Sequence, residues 1–232
     1  MFAFYFMPID PLYLLMLAPA MLLAAWASLR VQSNFARYSQ IGVRTGMTGA
    51  EAARAVARAG GVTELNIEET QGFLTDHYDP TSRTLRLSPE VYRGRSISSI
   101  AVAAHEAGHS IQHAQAYAWL NLRSQMVPVV KFGSAAWIWI FIAGGIFASM
   151  AWLQSVAIVL FSAVVLFQLI TLPVEFDASN RAKAVLASSG IVSTQEEAQG
   201  VSKVLGAAAM TYVAGALTAI MTLVYLLIRR RN

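Results

Sequence analysis

His105-Glu106-Ala107-Gly108-His109 combines the residue types that a hydrolytic metal site needs. On a helix, residues four apart lie about 40° apart around the axis and about 6 Å apart along it. His105 and His109 would then project from one face, close enough to share a tetrahedral zinc. Glu106 would be rotated about 100° from His105, where a carboxylate reaches water beside the metal rather than the metal itself. Half of the chain's four histidines lie in this motif. The plainer alternative is a helix with two surface histidines and an unrelated Glu, which a third ligand would argue against. The surroundings predict a helix. Ser96 can cap it, and the stretch Ile97 to Gln125 holds no Pro and no Gly besides Gly108.

A catalytic zinc takes three protein ligands and keeps one position open. The chain has no Cys, so the third ligand must be His or a carboxylate. The same absence excludes disulfides and a thiol nucleophile. His113 shares the face of His105 and His109 but lies about 12 Å along the axis from His105, too far for a common ion on an unbroken helix. It reads as a packing residue or as a hydrogen-bonding neighbour of the ligands. Glu175 is the better candidate. It and Asp177 are the only acidic residues between Glu106 and Glu196. Two membrane crossings between the motif and Glu175 would bring it back to the motif's side. A carboxylate at a helix start is also favoured by the helix dipole alone, so the residues by themselves leave its role open.

Composition explains what must position these groups. The 232 residues are 56% hydrophobic and only 13% charged, and the mean hydropathy is +0.51. That is the profile of a mainly α membrane protein with about four transmembrane helices. The first span is expected near 12–29, uncharged, with Pro19 inside it. Ala25-Trp26-Ala27 before Ser28 resembles a signal cleavage site, but the segment ahead of it lacks Lys and Arg and carries Asp10. From Phe132 to Val174 there is no charge at all. That run is too long for one crossing of about 20 residues and suits two, near 132–149 and 154–172. The turn is expected between Ser149 and Gln154, with Pro173 marking the exit. A fourth span is expected near 204–228, ending at Arg229-Arg230-Arg231. Polar regions at 30–126 and 173–203 would carry the chemistry, and no soluble domain separates from the rest. The net charge of +4 is spread without aromatic interleaving. This argues against nucleic acid as a partner and for a lipid headgroup surface.

Within 30–126, Thr48 and Glu51 are spaced as a capping box, and Gly60-Gly61 closes the helix they open. Leu65–Glu69, Gly72–Tyr78 and Thr84–Ser88 predict three short strands, the last two joined by Asp79-Pro80-Thr81-Ser82. A strand beside the metal helix could pair with an extended peptide by its open edge. Beyond the uncharged run, a new polar helix is expected to start at Glu175 and stop at Gly190. Thr194 and Glu197 form a second capping box.

Three segments carry a resemblance: His105-Glu106-Ala107-Gly108-His109-Ser110-Ile111-Gln112-His113, Asp76-His77-Tyr78-Asp79-Pro80, and Leu172-Pro173-Val174-Glu175-Phe176-Asp177-Ala178-Ser179. In type and order they resemble the YugP family of neutral zinc membrane proteases over nearly the whole chain. They are similar, more distantly, to the HtpX and CAAX prenyl protease families. The resemblance implies a small α+β zincin-like region, one zinc per chain, and Glu175 as its third ligand. Those relatives often carry an Asp four residues after that Glu, where this chain has Ser179.

The expected function is zinc-dependent hydrolysis of membrane or membrane-proximal polypeptides. His105, His109 and Glu175 would hold the metal, in the gluzincin manner, and Glu106 would act as the base. His77 and Tyr78 are further donors near the site, or ordinary strand-end packing residues. The main alternative is a non-catalytic membrane protein with a closed structural metal site, His77 or Asp177 adding a fourth ligand. A transporter would need ionisable residues within its spans, and these have none. The expected location is the plasma membrane of a prokaryote. Most of the 17 Lys and Arg fall on the motif's side, which favours a cytosolic site, although the Arg229-Arg230-Arg231 tail then lies outside.

Overall fold

Long apolar stretches make long helices, because a chain in lipid must satisfy its backbone groups internally. A computed structural model of the chain describes residues 10–72 and 75–230. Among the described residues, four helices are long and apolar enough to cross a membrane: α1 (Pro11–Ser39), α5 (Ala118–Ile146), α6 (Trp152–Ser188) and α7 (Gln195–Arg230). By length and composition that matches the expected number of spans; α1, α6 and α7 run past both ends of the expected segments, while α5 starts earlier, at Ala118, and stops at Ile146, short of the expected 149. Between α1 and α5 come α2 (Gly49–Ala59), β1 (Asn66–Glu69), β2 (His77–Asp79), β3 (Thr84–Leu87), α3 (Pro89–Tyr92) and α4 (Ile97–Ala114).

The chain divides into two compact units. One comprises the described parts of Met1–Ala27, Leu122–Leu172 and Met210–Asn232. Ile158, Phe161, Val165, Tyr225 and Leu226 form its core, while Leu15, Leu22, Trp139 and Val159 stay exposed, as lipid-facing side chains do. Asp10 caps α1 by accepting from Leu12 N at 3.0 Å. It also accepts from the Tyr225 hydroxyl at 2.7 Å and lies 3.4 Å from Arg229 Nε. The start of α1 and the end of α7 thus meet, which is compatible with an even number of crossings.

The second unit comprises Ser28–Asn121 and Pro173–Ala209. Its sheet has the order β1-β3-β2, with β1 parallel and β2 antiparallel to β3. The expected capping box opens α2: Thr48 Oγ1 accepts from Glu51 N while the Glu51 carboxylate accepts from Thr48 N. The buried face of α2 is Gly49, Ala50, Ala52, Ala53, Val56 and Ala57, small enough to lie close on the alanine-rich face of α4. Thr194 and Glu197 form the second capping box, at the start of α7.

Three expectations on element boundaries need correction. The strand expected at Gly72–Tyr78 is only His77–Asp79, and Phe73 and Leu74 lie outside the described residues. The motif helix ends at Ala114, not near Gln125. Ala116 takes φ +50°, its N–H donates to His113 O, and Tyr117 N–H donates to Gln112 O. This is the hydrogen-bond pair of a Schellman stop, with Ala where Gly is usual, so the sequence carries no glycine signal. Finally, α6 runs unbroken through Pro173. The change from apolar to polar sequence there is a change of surroundings and not a helix end.

Candidate metal centre

Glu175 and Ser179 are four apart on α6, so both face α4. Glycine sets how near the two helices come. A Cβ built on Gly108 would stand 2.6 Å from Ala178 O and 3.2 Å from Ala178 Cα. The fourth residue of the motif is therefore small because α6 backbone occupies that space.

The ligand atoms of His105, His109 and Glu175 all lie within 4.8 Å of one another. Glu175 Oε2 is 3.2 Å from His105 Nε2 and 3.5 Å from His109 Nε2. The two imidazoles stand at 82° to each other. Glu175 and His109 are buried, at 2% and 8% exposure. Zinc bonds of about 2.0–2.1 Å would put tetrahedral ligand atoms about 3.3 Å apart, so the donor set fits that ion. Each Nδ1 has its own partner. His105 Nδ1 lies 3.1 Å from Ser179 Oγ, and His109 Nδ1 lies 3.0 Å from Gln112 Oε1. Both Nε2 atoms are thereby left to the side of Glu175.

Charge in this buried space is strongly biased. Burial pushes the Glu106 carboxyl up, His105 and His109 oppose that, and the Glu175 and Asp76 charges add to it. For His109, burial works against protonation, but the Glu175 hydrogen bond and the Glu106 and Glu175 charges outweigh it and raise its pKa. Glu175 goes the other way: burial would raise it, and the hydrogen bonds and charges of His105 and His109 bring it below the usual carboxylate range. Two acidic groups gathered around two imidazoles out of water make a setting that a divalent cation would relieve.

Residues 13–231 match the family described as "Putative neutral zinc metallopeptidase". The chain belongs to that family. It is 48% identical over 212 residues to "Putative membrane protease YugP" of Bacillus subtilis (strain 168), covering 91% of this chain and 93% of that protein. No solved structure matches it.

For this metallopeptidase-family chain, the sequence motif and Glu175 come together, 70 positions apart in the case of His105 and Glu175. His113 does not join them; its Nδ1 is 2.9 Å from the Tyr78 hydroxyl, so it ties α4 to the edge strand β2. His77 Nδ1 lies 2.8 Å from the carbonyl of Thr75, which would receive its hydrogen bond. Asp177 accepts from Gln112 Nε2 at 2.8 Å and is ion-paired with Arg181. Sequence reasoning named Ser179 only as the residue standing where relatives often carry Asp, and it missed Gln112, whose one signal was its place a turn beyond His109.

Proposed function

We propose that the chain is a membrane-bound zinc endopeptidase, with His105, His109 and Glu175 holding one zinc and Glu106 serving as general base. The observation that carries this reading is the separation of Glu175 Oε2 from the two imidazole Nε2 atoms, 3.2 and 3.5 Å, with Glu106 between the histidines in sequence. A zinc held there would supply a Lewis acid that polarises a peptide carbonyl and brings the pKa of water towards neutrality. Glu106, its basicity raised by burial, takes the proton of the attacking water and returns it to the leaving amine. Asp177 and His77 have partners elsewhere, and the group that converges among the described residues has three members. An open fourth position is what hydrolysis needs, and a closed structural site would fill it.

The substrate is a polypeptide of the membrane or its margin. Strand β2 has β3 as its ladder partner among the described residues, and its Tyr78 reaches α4. An extended peptide would add along its other edge. The catalytic regions 30–126 and 173–203 act with the four spans as one functional domain. The site faces the cytosol, because basic residues concentrate near the span ends on its side. Glu106→Gln in detergent, offered an unfolded protein, should retain its zinc and lose turnover by about 10²–10⁴-fold. Cleavage by that variant at the wild-type rate would refute the base role.

A further inference from the structure

We infer that Gln112 is a positioning residue for the metal centre: its amide turns His109 so that Nδ1 carries the hydrogen and the Nε2 lone pair faces the ion. The inference rests on the zinc reading above. Gln112 has no exposed surface, so its amide must find all its partners inside the protein. The NH2 end has two, Val174 O at 2.8 Å and Asp177 Oδ2 at 2.8 Å. Both are acceptors. A flipped amide would set oxygen against oxygen at each and lose both hydrogen bonds. The carbonyl end is therefore fixed towards His109, with Oε1 3.0 Å from Nδ1. An acceptor at that place demands Nδ1–H, and a neutral imidazole then keeps its lone pair on Nε2. That nitrogen is the one 3.5 Å from Glu175 Oε2.

The anchor extends further. Arg181 pairs with Asp177, donates to Gln115 Oε1, and lies over the Tyr117 ring at 5.6 Å. Gln115 and Tyr117 belong to the Schellman stop of α4. The orientation of His109 is thus set by α6 and by the end of α4 together. Among the described residues, His105 Nδ1 faces the Ser179 hydroxyl, which rotates and can either donate or accept. Of the two histidines, His109 is the one whose tautomer the protein dictates.

The test is a zinc titration of the metal-stripped full-length protein in detergent, with Zn2+ against a competing chelator. Gln112→Met keeps the side chain's size and removes its hydrogen bonds. It should weaken zinc binding about 10–100-fold. The double variant Gln112→Glu, Asp177→Asn keeps an acceptor on Nδ1 and lets the amide at position 177 donate to it, but gives up the hydrogen bond to Val174 O. It should recover part of that loss, and the visible spectrum of the cobalt-loaded form should shift back towards wild type with it. Asp177→Ala, further from the ligand, should weaken binding several-fold should Gln112→Met prove insoluble. Undiminished zinc binding by Gln112→Met, in a wild type that binds zinc, would overturn this inference alone. So would equal weakening of the Met and the double variant with a matching fall in Tm, which marks a packing role. A wild type that takes up no zinc would overturn the reading of the site, and this inference with it.

Discussion

Gly108 shows how one residue without chemistry can control a site. Its missing Cβ lets Ala178 O come within 2.6 Å of where that atom would be. Ala178 sits between Asp177 and Ser179 and one turn beyond Glu175. A methyl group there must push the α6 backbone outwards and take Glu175 away from His105. Gly108→Ala should destabilise the protein by about 1–3 kcal/mol through overpacking and weaken zinc binding, checked by thermal unfolding and zinc titration. Unchanged zinc affinity would mean that the helices can part without moving the ligands. His105, Glu106 and His109 were legible in the sequence because their spacing is tied to the helical repeat. Glu175 was legible only as one of few acidic residues beyond an uncharged run, and the resemblance, not spacing, singled it out. Gln112 and Ser179 carry no charge and no periodic signal, so only the meeting of α4 and α6 reveals what they touch.

At the scale of elements, the helix ends carry most of the information that the sequence withheld. Ala116 stands at φ +50° where a Schellman stop favours Gly. Relief of the left-handed strain, about 1–2 kcal/mol, exceeds the added chain entropy of Gly when unfolded, about 0.4–1 kcal/mol. Ala116→Gly should therefore raise Tm slightly without affecting zinc content; a fall in Tm would count against the assigned conformation. The start of α7 depends on Glu197, a buried carboxylate that accepts from Arg44 N at 2.7 Å, Ser193 N at 2.8 Å and Thr194 N at 3.0 Å. Burial would raise its pKa, but these donors prevail and hold it below the ordinary value. A carboxyl with a lower pKa folded than unfolded stabilises fully above the unfolded value, about 4.3. That contribution fades as pH falls through the folded value. Glu197→Gln should lower Tm most near neutral pH, with the gap to wild type narrowing below about pH 4. A gap that stayed constant with pH would rule out this carboxylate as its source. Capping boxes at Thr48 and Thr194 were readable because each needs only two residues at a fixed spacing. Pro173 misled for the opposite reason: a proline in a helix can be held by its surroundings, and those are not written in the local sequence.

On the scale of the whole molecule, hydropathy was the clearest text. It pointed to four spans, and the described residues include four helices long and apolar enough for that. The meeting of Asp10 with Tyr225 and Arg229 agrees with an even count. Orientation is a matter of which side receives the polar regions, and the absence of Cys makes it simple to measure. A single Cys introduced at exposed Thr81 should resist a membrane-impermeant maleimide in intact cells and react after permeabilisation. Labelling in intact cells would put the site outside.

The proposed function stands on one zinc held by residues from α4 and α6. Metal analysis of purified wild type beside Glu175→Ala is the first measurement to make. Wild type should carry about one zinc per chain and the variant little. A full zinc complement in Glu175→Ala would contradict it and place the third ligand elsewhere.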